Sequence, residues 1–350
     1  MARLKEYNGH YCESEYEYAF IGFLEAEGWK YTSGNKISRV TKRDVLIEDD
    51  FKKFIADGNP DLTEDEVTQI YDTIRLVGAE SDFATLHKVY NWLVDGIQFT
   101  PKDGIARMIP LINFEKDGVK NIFRVVNQFT VEYTNNGQKE NRRPDVILFV
   151  NGMPLCIMEL KNPADANATI YDAWEQINIR YWRDIPHLLH YCPLACISDG
   201  VKTRLGTVRT PYEHFYAWRR VNDGDVVSTL PFAETETMIK GVYSPERFLE
   251  IFRDYIYFQD SIYDSDEVEI VCRYPQFFAA RLLKQSIVDS VVTKSGRGGT
   301  YFGATGCGKT YTMAFLARQL ALRCTDISEI GSPTIILIVD RDELQKQGAK

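Results

Sequence analysis

Hydrophobic and polar positions alternate along this chain with two different periods. Residues 14–27, SEYEYAFIGFLEAE, carry apolar side chains at helical spacing, with Ser14 as N-cap and Gly28 as the stop. A second helix is predicted over 61–77, which opens on DLTEDE, where acids suit a helix N-terminus. A third is predicted over 83–95. The centre then reads as strands: NIFRVVNQFTVEY (121–133), PDVILFV (144–150) and MPLCIMEL (153–160). A helix follows at about 165–182, then a strand PLACIS (193–198) that ends in Asp199-Gly200. From roughly 225 to 260 the pattern is helical and rich in aromatics. Helices followed by a mixed sheet with a crossover helix indicate an α/β domain.

The acidic, polar stretch 261–268 is read as a domain boundary. It divides a first domain, 1–260, whose core lies at about 10–220, from a second, 261–350. The second begins with GRGGTYFGATGCGKTYTMAFLARQL and continues to the apolar TIILIVD (334–340). That order predicts strand, glycine loop, helix and buried parallel strand. A length of 350 residues makes two domains the natural expectation.

Composition narrows the class. With 44% hydrophobic and 26% charged residues the chain is an ordinary globular one. No apolar run approaches a membrane span, and the N-terminus has no apolar segment of signal-peptide length, so a cytoplasmic, membrane-free protein is expected. Seven cysteines occur without a CxxC pair, and no histidine set completes a zinc site around Cys192 and Cys196; reduced, buried thiols are expected. A net charge of −9 argues against a protein that coats nucleic acid, but a local basic groove is compatible with it. Residues 201–220 hold Lys202, Arg204, Arg209, Arg219 and Arg220 against Glu213 alone. They are either a solvated basic face or a contact to a DNA backbone.

Gly303-Ala304-Thr305-Gly306-Cys307-Gly308-Lys309-Thr310 fits G-x-x-x-x-G-K-[ST]. Its glycines let backbone N–H groups face phosphate oxygens. Lys309 would neutralise the β- and γ-phosphates, and the Thr310 hydroxyl would ligate Mg²⁺. A chance match in a chain this long is on the order of one in a hundred. The expected ligand is a nucleoside triphosphate such as ATP. Gln276 precedes the loop at the spacing where helicase-like motors carry a glutamine that reads adenine, and LIVDRDEL (337–344) resembles the next strand of superfamily-2 motors. Neither an Asp-Glu box nor an arginine finger follows, so nucleotide binding without turnover is expected of these residues.

The hairpin RRPDVILFVNGMPLCIMELKNP (142–163) raises a different chemistry. Glu159 and Lys161 are two apart on one strand and leave the same face. Together with Asp145 they fit P-D-(x)n-E-x-K, the pattern of a large nuclease superfamily. Two carboxylates would hold Mg²⁺, and a lysine would orient water or steady negative charge. A surface salt bridge is the plainer alternative. A regular two-residue turn at Asn151-Gly152 would set Asp145 opposite Met158, facing away from Glu159. Shared chemistry therefore requires one extra residue, in a three-residue loop or in a bulge at Pro144 or Pro154.

These segments, with VVNQF and IPHLLHYCPLACISDGVKTRLGT, together resemble the motor/nuclease (R) subunit of type I restriction enzymes over most of residues 10–350. The resemblance implies a restriction-endonuclease-like mixed sheet flanked by helices, followed by the beginning of a RecA-like parallel α/β motor domain. It implies Mg²⁺-dependent cleavage of unmodified double-stranded DNA coupled to ATP-driven translocation, in a complex with methyltransferase and specificity subunits of a bacterial or archaeal cell. Carried over by position, Asp145, Glu159 and Lys161 are catalytic, Asp145 and Glu159 hold the metal, and Gln276 and Gly303–Thr310 bind nucleotide. Glu17 is a further candidate metal carboxylate. The family's Q-x-x-x-Y motif is altered: Gln176 and Tyr181 have one residue too many between them, which turns Tyr181 about a further hundred degrees around a regular helix. Two other readings remain: a helicase–nuclease of DNA repair, and a nuclease-like domain that docks partners without cutting.

Overall fold

The structure is a computed structural model that describes residues 13–78, 80–161, 169–228, 232–259, 267–324 and 327–338. By its internal contacts the chain divides into two units. One is Met1–Val221 with Val227–Leu249, the other Asn222–Val226 with Glu250–Lys350. The boundary expected at 261–268 lies mostly outside the described residues.

The first unit is built on a six-stranded mixed sheet whose order follows the chain. Its strands are β1 (Lys30–Ser33), β2 (Phe123–Asn127), β3 (Val146–Val150), β4 (Met153–Leu160), β5 (Leu194–Ser198) and β6 (Thr203–Thr207). β1 is parallel to β2 and β4 to β5, and the remaining neighbours are antiparallel. β3 and β4 are buried at every residue. That is why VILFV and MPLCIMEL read as continuous apolar runs rather than alternating ones.

Helix α1 (Glu13–Ala26) packs on β1, β2 and β4. Ser14 therefore lies in its first turn and is not its cap. Between β1 and β2 come α2 (Glu48–Gly58), α3 (Glu64–Arg75) and α4 (Asp82–Asp95). α3 starts with a capping box in which Thr63 and Glu66 bond each other's backbone, and Ser81 caps α4. α2 and β1 carry no comparable signal and are absent from the sequence expectation. The strand expected over 121–133 is two elements. It breaks at Gln128, whose φ of 51° lies in the left-handed region, and resumes at Val131–Asn135 in a separate hairpin with Gln138–Arg142.

The β4–β5 crossover was expected as one helix over 165–182. Residues 162–168 lie outside the described set. Beyond them the chain forms α5 (Ile170–Glu175), capped by Thr169, then a π-helical turn over Gln176–Tyr181 and a short helical turn, Trp182–Asp184.

In the second unit a small hairpin, Ile256–Gln259 with Val268–Val271, is followed by long helices Tyr274–Val292 and Lys309–Arg323. The expected strands flanking the glycine loop do not form among the described residues. Residues 299–304 and 333–338 have no regular structure, and Ile336 and Ile338 are exposed. A buried parallel strand needs a bonded neighbour and cover on both faces, and no described strand of this unit lies beside either segment. Among its described residues the unit displays the loop and its helix, with no strand flanking them.

Candidate active site

The hairpin of β3 and β4 determines where the charges fall. Asn151 and Gly152 both have positive φ, 51° and 78°, and make a tight two-residue turn with Val150 opposite Met153. Gly152 is required twice: for its φ, and because a Cβ there would collide with the carbonyl oxygen of Ile47. One step further, Phe149 pairs with Pro154, but Leu148 pairs with Cys156. Leu155 is an extra residue, a β-bulge next to the proline that cannot donate to the ladder. From there Ile147 faces Ile157 and Val146 faces Met158, so the next pair is Asp145 with Glu159. The register break that shared chemistry requires is present, and the tight turn is kept as well.

The two carboxylates meet at the strand ends. The Asp145 backbone N–H donates to Glu159 Oε1 at 3.4 Å, and the Leu160 N–H donates to Asp145 Oδ2 at 2.9 Å. Glu159 is fully buried, and its Oε2 has no hydrogen-bond partner among the described residues. Burial, and then the neighbouring Asp145 charge, push its carboxyl well above the usual 4.5, with Lys161 and Tyr181 pulling the other way. Lys161, half-buried, is anchored by its backbone N–H on Ser198 O at 2.7 Å and donates from Nζ to Gln176 Oε1 at 2.9 Å.

The altered Q-x-x-x-Y spacing is resolved by the π turn, and the sequence expectation for Tyr181 is corrected by it. A wider turn absorbs one residue, so positions five apart share a face. Gln176 Nε2 donates to the Tyr181 hydroxyl at 2.8 Å, and that hydroxyl donates to Glu159 Oε1 at 2.7 Å. A closed chain results: Lys161, Gln176, Tyr181, Glu159. Burial and the Glu159 charge raise the Tyr181 phenol well above its ordinary range, which keeps it a donor.

Glu17 reaches the same corner from α1. Its oxygens accept from Asn127 Nδ2 at 2.6 Å and from Gln128 Nε2 at 2.5 Å, and the Gln128 amide also lies 3.4 Å from Asp145 Oδ1. The Gln128 backbone N–H donates to Asp145 O at 3.0 Å. Asn127 and Gln128 were missed as site residues although VVNQF stood out in the sequence; the left-handed φ that aims Gln128 between two acids leaves no mark on a hydropathy pattern. Arg143, also missed, borders with them a cleft of about 530 Å³ beside Asp145.

The basic segment behaves differently. Lys202 is exposed, but Arg204 is half-buried and ion-paired with Glu234. Arg209 lies over the rings of Phe83 and Trp182 at 5.3 and 5.6 Å. Arg204 and Arg209 are thus engaged in packing.

In the second unit, Gly306 and Gly308 have φ of 77° and 79°, as a phosphate loop requires. Gln276 is buried under the loop, and its Nε2 donates to Cys307 O and Gly308 O at 3.3 and 3.1 Å. Lys309 Nζ bonds the loop's own carbonyls, Gly303 O and Ala304 O, at 2.9 and 3.0 Å. Ala304, Thr305 and Thr310 complete the segment, with Thr310 in the first turn of the following helix.

Residues 11–214 match the family model described as the type I restriction enzyme R protein N terminus. The chain belongs to that family. Residues 275–350 match the SWI2/SNF2 ATPase model. Among curated relatives, the putative type I restriction enzyme MjaIXP endonuclease subunit of Methanocaldococcus jannaschii is 29% identical across 95% of this chain and 33% of its own length. The HindI endonuclease subunit of Haemophilus influenzae is 28% identical across 96% of this chain and 32% of its own. The chain therefore spans about a third of these restriction subunits.

For a type I restriction protein the question is whether these residues suit Mg²⁺. No cluster of three or more His, Cys, Asp or Glu side chains able to hold a metal occurs among the described residues. Mg²⁺ needs only one or two protein carboxylates and keeps several waters. Asp145 and Glu159 supply that number, and the orphaned, buried Oε2 of Glu159 is an oxygen in want of a cation or a proton. The donor set fits.

Proposed function

We propose that the first unit is a Mg²⁺-dependent endonuclease of a type I restriction complex, acting on double-stranded DNA, with Asp145, Glu159 and Lys161 as its catalytic residues. The observation that carries this reading is the Leu155 bulge, which turns two carboxylates from opposite strands toward each other. When bound, Mg²⁺ would polarise the scissile phosphate and acidify a water. Asp145 and Glu159 would hold the ion through carboxylate oxygens. Lys161, steered by Gln176, would offer its ammonium to the developing phosphate charge. Tyr181 would hold Glu159 Oε1, leaving Oε2 for the ion. Glu17, through Gln128, fixes the orientation of Asp145 and is a positioning residue in this scheme rather than a ligand. The fold reading that accompanies it is restriction-endonuclease-like.

The second unit is proposed to bind ATP with Mg²⁺ at Gly303–Thr310. Lys309 would exchange its loop carbonyls for phosphate oxygens, and the loop would stay braced by Gln276. Translocation, and assembly with methyltransferase and specificity subunits, are proposed for the longer protein of which relatives of this kind are examples.

The test is calorimetric titration of the purified chain with Mn²⁺ as a probe. One bound ion is expected, lost in Asp145→Ala and in Glu159→Ala. In the assembled restriction complex, Lys161→Ala should abolish plasmid cleavage while sparing ATP hydrolysis. Mn²⁺ binding that both carboxylate substitutions leave untouched would overturn the assignment.

A further inference from the structure

The cleft beside Asp145 contains two groups that the proposed catalytic set does not use. Arg143 is exposed and makes no hydrogen bond, ion pair or ring contact among the described residues. Its neighbour Arg142 is fully occupied: it bonds Asp184 at 2.6 Å and lies 5.2 Å from the Tyr133 ring. A guanidinium left unpaired at the rim of a site, next to one that is paired, is the group to explain.

The second is Tyr18, which is 57% exposed although it follows the buried Glu17 on α1. Its ring is not loose. Tyr31 stands edge-on to it at 6.5 Å and 88°, and the Tyr31 hydroxyl donates to Asn127 Oδ1 at 3.1 Å. Asn127 in turn bonds Glu17. A half-exposed aromatic ring therefore lines the cleft, linked through Tyr31 and Asn127 to Glu17.

A cleft of about 530 Å³ is of the size that takes a small ligand. Its chemistry narrows the ligand. The Glu17 carboxylate accepts from two amides, so the free positive group is Arg143, which suits an anion bound through two parallel N–H bonds. The open face of Tyr18 suits a flat, uncharged ring. Phosphate and base in one small volume, against the carboxylate that would hold the cation, describe one nucleotide of a DNA strand.

We propose that this cleft binds the nucleotide flanking the scissile phosphate, unstacked from its neighbours, with its phosphate on Arg143 and its base on Tyr18. The inference deepens the nuclease reading and rests on it only for the word scissile. The arginines 204 and 209, which the sequence pointed to, are held by Glu234 and by aromatic rings; Arg143 is free for the DNA backbone.

The experiment measures binding of a short fluorescein-labelled single-stranded oligodeoxynucleotide to the purified chain by anisotropy. Ca²⁺ replaces Mg²⁺, and salt is varied. Tyr18→Ala should weaken binding roughly 5- to 150-fold, the range for loss of one base stack, and Tyr18→Phe should bind like the unmodified chain. Arg143→Gln should lower the slope of log affinity against log salt by about 0.7, one phosphate's worth on a single strand. Both side chains are exposed, so thermal unfolding and Mn²⁺ binding should be unchanged. Wild-type affinity and slope in Tyr18→Ala and Arg143→Gln, or no salt-dependent binding by the unmodified chain, would overturn the proposal. If those variants lose DNA while Asp145→Ala still binds Mn²⁺, the subsite stands and the metal assignment falls.

Discussion

Replacing Glu159 by glutamine should stabilise the chain at neutral pH while destroying its metal site. Glu159 is fully buried, its Oε2 is unpartnered among the described residues, and Asp145 repels it. Its carboxyl therefore titrates above the 4.5 of the unfolded chain. Above that pH the unfolded chain has released the proton and the folded chain still holds it. Stability consequently falls as pH rises, by about 1.4 kcal/mol per unit, until the folded carboxyl also ionises. For a unit of this size that corresponds to about 3–6 °C in Tm per pH unit. Glutamine has no proton to lose. It would keep an oxygen for the Tyr181 hydroxyl and place an amide donor toward Asp145. Thermal unfolding followed by circular dichroism in EDTA, scanned upward from pH 4.5, should show Glu159→Gln diverging upward from the parent. Added Mn²⁺ should raise the parent's Tm and leave the variant's unchanged. Two curves that run parallel across this range would refute the argument, because a strained but already ionised Glu159 gives an offset without a slope.

Tyr181→Phe removes the donor to Glu159 Oε1 and should cost about 0.5–1.5 kcal/mol, the net worth of a hydrogen bond to a carboxyl that holds its proton, with weaker Mn²⁺ binding in the same titration. Deleting Ile179, which is 47% exposed, would put Tyr181 four residues after Gln176 and turn the π turn into a regular helix; Mn²⁺ affinity should survive, whereas a second deletion at Asn178 should abolish it. Gly308→Ala forces a Cβ onto Gln276 Nε2 at a φ of 79°, so binding of a fluorescent ATP analogue should be lost, with Mn²⁺ binding to the first unit unaffected.

Much of the first unit was legible because its signals are local. Thr63 with Glu66 and Ser81 write their caps into the sequence, and VILFV and MPLCIMEL could only be buried strands. Strand parity alone set Asp145 opposite Met158; a shared site with Glu159 required one extra residue, expected in the loop or at Pro144 or Pro154, and the structure puts it at Leu155, next to Pro154. What could not be read depends on partners distant in sequence. KYTS becomes a strand only because VVN of β2 lies beside it. Gln176 and Tyr181 meet because the helix widens into a π turn, and helical periodicity assumes that it will not. Arg204 and Arg209 counted as free charge until Glu234 and the Phe83 and Trp182 rings were seen against them. TIILIVD was read as a strand from its apolar pattern; its described residues, 334–338, have no bonded neighbour, and a strand is a property of its neighbours.

The bulge at Leu155 makes this hairpin an arithmetic device. Between Val146 and Met158, adding or removing a single amino acid rotates every later side chain to the other side of the sheet, while a change of two restores the original sense. Lineages of this chain should therefore tolerate length variation here only in even steps, or in matched odd steps on both arms. A count of odd and even gaps among relatives, taken without any assay, would read the same geometry from evolutionary history.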